Sequence, residues 1–155
     1  MGFTSLSLKG RALRLLSQRE HSRDELRRKL ARHVQEGDDL DAVLDDLQAQ
    51  NFISEARVVE STVHQRADRL GAARIRQALQ AKGIAPALVQ QAVASLHDTE
   101  FARAHALWAR RFGALPVDAR ERGRQGRFLL TRGFSGDVVH RVLRGDVPDD
   151  SAANP

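Results

Sequence analysis

The chain has 155 residues, 41% of them hydrophobic but only 5% aromatic, with no cysteine and no tyrosine. This composition excludes a disulfide framework and a thiolate metal site, and it suits several small Leu/Val/Ala seams better than one thick core. Lys and Arg number 25 against 20 Asp and Glu, a net +5, and 22 of the cations are arginine, which makes a polyanion such as nucleic acid the natural partner.

At the N-terminus, residues 1–9 lack the charged start and long apolar run of a secretory signal, and Leu6 stands where a myristoylation motif requires Ser or Thr. The longest stretch free of Asp, Glu, Lys and Arg, residues 83–97, contains Gln90 and Gln91 and is too short to span a bilayer. The reading is of a cytoplasmic protein without membrane contact. Charge comes in blocks: residues 1–37 net +5, 38–68 net −6, 69–97 net +4, 98–144 net +5, and the tail from Gly145 net −3.

In chain order, apolar residues recur at helical spacing and nowhere alternate with period two, so the fold class is all-α. Leu8, Ala12, Leu15 and Leu16 form the first stripe, then Leu26, Leu30 and Val34, then Leu40, Val43, Leu44 and Leu47. Val59, Val63, Ala67 and Leu70 follow, then Ile75, Ala78 and Leu79, then Leu88, Val89, Ala92, Val93 and Leu96. Phe101, Ala104, Trp108 and Phe112 come next, then Phe128 with Leu129, and finally Val138, Val139, Val142 and Leu143. These stripes predict about nine short helices. Ser22 with Glu25, and Asp118 with Glu121, have capping-box spacing, and Pro86 suits a first helical position. Gly37, Gly83, Gly113, Gly133 and Gly145 stand where left-handed stops are expected.

A shift of 50 residues lays Leu79, Lys82, Gly83, Ile84, Leu88, Val89, Ala92 and Val93 over Leu129, Arg132, Gly133, Phe134, Val138, Val139, Val142 and Leu143. The N-terminal block matches more loosely. The expected architecture is an elongated, curved array of three tandem three-helix repeats, residues 1–53, 54–97 and 98–145, with a disordered tail at 146–155. An extended basic body can follow a groove over several subunits of a filament.

Little in the sequence supports catalysis. Asp38, Asp39, Asp41, Asp45 and Asp46 lie on one loop and helix start rather than converging from separate elements, so helix capping is the simpler reading and no metal is expected. There is no P-loop, dinucleotide glycine pattern or nucleophile elbow, and the six histidines lie apart from any triad-like set. No enzyme activity, cofactor or small-molecule substrate is expected. The arginines are more telling. Arg120, Arg124 and Arg127 stand at i, i+4 and i+7, a like-charged stripe that Glu121 offsets only in part and that an anion would relieve. Arg27, Arg28 and Arg32 flank the Leu26/Leu30 face, while Arg74 and Arg76 flank Ile75, with Lys82 at that helix end. With no aromatic residues interleaved among these cations, phosphate contact rather than base stacking is expected.

Three segments then resemble a known family. Ala12-Leu13-Arg14-Leu15-Leu16-Ser17-Gln18-Arg19-Glu20-His21-Ser22, with Glu25-Leu26 and Lys29-Leu30, is similar to the opening signature of the bacterial recombination regulator RecX family. Leu70-Gly71-Ala72-Ala73-Arg74-Ile75, with Leu79 and Lys82-Gly83-Ile84, resembles its central signature, and Arg132-Gly133-Phe134 with Val139 to Leu143 its C-terminal end. The resemblance covers Leu8 to Arg144. It departs at Phe52-Ile53-Ser54 and Val58-Val59, where the family commonly has an aromatic-leucine-aspartate turn and Phe-Ala; apolar character is kept, so altered packing is expected rather than another fold.

The resemblance implies a negative modulator of the RecA recombinase that binds RecA and the RecA–single-stranded DNA filament and inhibits ATP hydrolysis and strand exchange. On that reading Arg23, Arg27, Arg28, Arg32, Arg74, Arg76, Lys82, Arg120, Arg124, Arg127 and Arg132 face the filament groove and its DNA phosphates. Asp45 and Asp46 would meet basic recombinase surface, and the protein would act as a monomer. The alternatives are a stand-alone DNA-binding module, since three-helix units with basic helices resemble helix-turn-helix readers, and a helical scaffold without nucleic acid.

Overall fold

The computed structural model describes residues 5–149; the expectations for the extreme N-terminus and for the tail lie, at 1–4 and 150–155, outside the described residues. Eight α-helices follow one another: α1 Leu8–Gln18, α2 Arg23–Leu30, α3 Leu40–Ala49, α4 Glu55–Arg66, α5 Ala72–Ala81, α6 Pro86–Arg111, α7 Ala119–Thr131 and α8 Gly136–Leu143. A 3-10 turn, Ala31–His33, extends α2, and there is no strand among the described residues.

Capping residues set the starts. Ser7, Ser22, Asp39, Ser54, Asp118 and Ser135 each accept a hydrogen bond from the third amide of the helix they precede, removing one of the donors a first turn leaves unpaired. At Ser22 the Glu25 carboxylate reaches back to the Ser22 amide and completes the box. At Asp118 that return contact is missing, because Glu121 turns to Arg124 and Gln125 instead. All five glycines read as stops have positive φ, and Pro86 is the first residue of α6.

The largest departure from the periodicity is α6. The stripes at Leu88–Leu96 and Phe101–Phe112, read as two helices, belong to one helix of 26 residues. Nothing between Pro86 and Arg111 stops it: the interval holds no further proline and no glycine. The polar stretch His97-Asp98-Thr99 is the place where the helix leaves one core and enters the next. Val89, Val93 and Leu96 pack with Val58, Ile75 and Leu79, whereas Ala104, Leu107 and Trp108 pack with Leu129, Phe134 and Val142. A third core gathers Leu8, Ala12, Leu26, Leu30, Leu44, Leu47 and Ile53. Three small cores in series, rather than one, follow from a chain with so few aromatic residues.

Successive units meet helix end to helix end. The Ser22 hydroxyl, at the start of α2, donates to the carbonyl of Lys82 at the end of α5 (2.6 Å), and Arg28 donates to the carbonyl of Ala81 (3.0 Å). In the same way the Gly71 amide, at the start of α5, donates to the carbonyl of Arg132 at the end of α7 (2.8 Å), and the Ala73 amide donates to that of Gly133 (3.3 Å). Unpaired carbonyls of one helix satisfy donors at the start of another, and opposite dipole ends face each other. Helices α2, α5 and α7 are therefore joined start to end, one after another.

Candidate functional site

These three helices are where most of the arginines singled out in the sequence lie, and the structure divides them by partner. Arg23 is ion-paired with Asp45 (2.7 Å) and donates to Gln48, while Arg27 pairs with Asp41 (2.8 Å) and lies 3.7 Å from Asp24. Lys82, only 17% exposed, pairs with Glu25 at 3.1 Å inside the junction of the first two units. Arg124 makes two hydrogen bonds to Glu121, whose carboxyl is held down at about 2, first by Arg124 and then by Gln125. Asp46 is taken by Lys9 (2.9 Å) and Gln50 (2.7 Å).

The other cations have no carboxylate partner among the described residues. Arg28 and Arg32 are exposed on α2 and the turn after it, Arg74 and Arg76 on α5, and Arg120 and Arg127 on α7, while Arg132 is half-buried at the end of α7. The stripe on α7 thus carries one neutralised and two free guanidiniums. The acidic block of residues 38–46 serves the first unit: Asp38 accepts from the Gln35 amide and Asp39 caps α3, while Asp41, Asp45 and Asp46 hold α1 and α2 against α3.

The reading that no aromatic residues accompany the cations is corrected in the third unit. Phe112 and Phe128 meet edge to face at 5.4 Å, and three guanidiniums lie over their faces: Arg111 over both, Arg124 over Phe112 at 5.1 Å and Arg132 over Phe128 at 4.9 Å. Phe112 comes from the end of α6 and Phe128 from α7, so their pairing is tertiary and leaves no sequence-local signal. The rings help to hold these guanidiniums in place; Arg124 gives its N–H groups to Glu121, while Arg111 and Arg132 have no carboxylate partner among the described residues.

Sequence reasoning missed the polar residues that fix these helices. Glu100, 2% exposed, accepts from the Ala72 amide at the start of α5. Arg103 donates to the carbonyls of Ala67 and Leu70, closing the end of α4. Gln125 accepts from the Trp108 indole at 2.8 Å and donates to the Ala114 carbonyl. Burial pushes the Glu25 carboxyl up, but Arg19, the Ser22 amide and Lys82 together outweigh it and hold it at about 2. His21 is 1% exposed and held below its ordinary value, by burial first and then by the charges of Arg19 and Lys29. Its Nδ1 faces the Arg19 carbonyl (3.0 Å) and its Nε2 the Lys29 ammonium (3.1 Å), the arrangement of a neutral ring.

No helix among the described residues is long and apolar enough to cross a membrane. Models of the first, second and third three-helix domains of RecX match residues 9–47, 54–93 and 98–143. A regulatory protein RecX of Leptothrix cholodnii is 59% identical over 139 residues, 90% of this chain and 88% of that one. Another, of Herminiimonas arsenicoxydans, is 51% identical over 144 residues, 93% and 95% of the two chains. The crystal structure of RecX from Lactobacillus salivarius superposes with a TM-score of 0.73 at 22% identity, covering 88% of this chain and 92% of that one.

Proposed function

Because the chain belongs to the RecX family of regulatory proteins, we propose that it restrains RecA by lying along the groove of the RecA–single-stranded DNA filament, slowing ATP hydrolysis and strand exchange. The observation that carries this reading is the end-to-end run of α2, α5 and α7, which bears Arg28, Arg74, Arg76, Arg120, Arg127 and Arg132 free of carboxylates. Phosphates along a strand present charge at a regular spacing, and a series of weak contacts on one connected body gives avidity without any single strong site. Occupancy spanning neighbouring subunits would oppose the subunit motions that hydrolysis and strand exchange need. Asp45 and Asp46 can reach a basic recombinase surface only by leaving Arg23 and Lys9, an exchange between exposed pairs that costs little.

Reversing Arg120 and Arg127 to glutamate should weaken inhibition of RecA's DNA-dependent ATPase, and each lost phosphate contact should lower the salt slope of binding by about 1. The same reversal at Arg23 and Arg27, whose charge Asp45 and Asp41 already absorb, should weaken inhibition less. Equal inhibition curves for wild type and the Arg120/Arg127 variant remove the α7 stripe from the mechanism. Strong sequence discrimination on bare duplex DNA would favour a stand-alone DNA-binding module instead.

A further inference from the structure

The first unit carries a second basic feature, which overlaps the filament reading only at Arg28 and Arg32. Between α1 and α2 lies a cleft of about 650 Å³, within the range typical of small-molecule sites; unlike the hollow beside Arg120 and Arg124, which Asp118 and Glu121 also line, it is lined by no acid among the described residues. Five cations line it: Arg11 and Arg14 from α1, Arg28 and Lys29 from α2, and Arg32 from the turn that follows. Elsewhere in the same unit Lys9, Arg19, Arg23 and Arg27 each have an acidic partner, while Asp38 lines an adjoining hollow with Arg11, Arg32 and His33. Among the described residues none of the five has a carboxylate within ion-pairing distance; Lys29 meets the neutral His21 ring and Arg28 a backbone carbonyl.

His33 also lines the cleft, and its ring is held below its ordinary value by burial first and then by the charges of Arg11 and Arg32, which come from different elements. Between the cations, Leu6, Leu15 and Leu30 give the cleft apolar wall. A site with a dense cationic rim and an apolar wall suits a compact ligand with several linked negative charges at one end and a flat organic group at the other.

We propose that this cleft binds a free nucleotide, its oligophosphate held by Arg11, Arg14, Arg28, Lys29 and Arg32 and its base against Leu6 and Leu15. Guanidinium forks from two sides match the oxygens of linked phosphates, and binding relieves the mutual repulsion of the five cations. The ligand is bound without chemical change; the occupied cleft would carry a net charge near neutrality where the empty one is strongly positive.

Calorimetric titration of the whole chain at low salt tests this with three probes: inorganic triphosphate, ATP, and a short single-stranded oligonucleotide. Triphosphate should bind at one site per chain, and ATP more tightly because its base gains the leucine wall. Arg11→Glu with Arg14→Glu should weaken both by about tenfold or more. Arg69→Glu with Arg122→Glu, exposed positions giving the same change in net charge, should weaken them by less than about twofold. If the double reversal in α1 disturbs folding, Arg14→Gln at an exposed position should still weaken triphosphate binding. The proposal fails if triphosphate does not bind at low salt, if the two double variants lose affinity equally, or if only the oligonucleotide is sensitive to Arg11 and Arg14. None of these outcomes bears on RecA inhibition by the α7 arginines, so the two readings stand or fall separately.

Discussion

Between the second and third units α6 passes unbroken from one core into the next, and the backbones of Gly71 and Ala73 bond directly to those of Arg132 and Gly133. Between the first and second units no helix is shared and, among the described residues, no apolar cluster spans the junction, which is held instead by the side chains of Ser22, Arg28, Lys82 with Glu25, and Arg57 with Glu20. Both junctions join a helix end to a helix start. One does so with buried backbone and a common rod, the other with polar side chains, and from this difference the second and third units should open together while the first opens on its own.

The sharpest contrast is between the glycines that close each junction. Gly133 (φ +93°) is buried against α5, and a β-carbon there would run into the backbone nitrogen of Arg74. Gly83 (φ +74°) faces the carboxylate of Asp24, the end of a side chain that can turn away. Gly133→Ala should therefore cost about 3 kcal/mol or more, from the left-handed backbone and an immovable neighbour together, against about 1 kcal/mol for Gly83→Ala. Equal shifts of the urea midpoint for the two variants would mean that the junctions are equally rigid.

Acid should separate the junctions next. The Glu25 carboxyl, at about 2 in the folded chain, lies below its ordinary value of 4.5, so the stability it contributes is complete above about 4.5 and lost as pH falls toward 2. On the scale of that shift the loss is about 2–3 kcal/mol. It falls on the start of α2 and on Lys82 together, so hydrogen exchange between pH 4.5 and 2 should quicken in the first unit ahead of α6. Glu25→Gln should remove that pH dependence. Exchange rising equally in all three units of the wild type would contradict the contrast.

Local signals in the sequence and this tertiary difference were legible to different degrees. Apolar spacing and glycine positions identify the helices and their stops because each depends on residues within a turn or two. The union of two stripes into α6 was hidden because a helix passing between cores changes its buried face midway, and the polar residues at the crossing read as an end. The cations were visible as types, but their availability depends on acids from other elements: Asp41 and Asp45 of α3 occupy Arg27 and Arg23, while among the described residues no carboxylate pairs with Arg120 or Arg127. Phe112 lies 16 residues before Phe128 and the pair cradles Arg111, Arg124 and Arg132 only once α6 and α7 have packed.

The smallest effect should come from the outer clasp of the first junction. Arg57 Nε donates to Glu20 at 2.9 Å, and its Nη2 donates to the carbonyls of Asn51 and Phe52, where the chain turns from α3 into α4. The pair is about one-third exposed, so Arg57→Ala should lower global stability by less than about 1 kcal/mol. Its local effect should be larger than its global one, because the carbonyls of Asn51, at φ 64°, and of the exposed Phe52 are held by this guanidinium, while their amides bond back to Gln48 and Leu47. Amide exchange at residues 51–54 should accelerate while that of α6 stays unchanged. If α6 exchanged faster as well, the first unit would be mechanically continuous with the rest, and the polar junction would be as stiff as the one built on a shared helix.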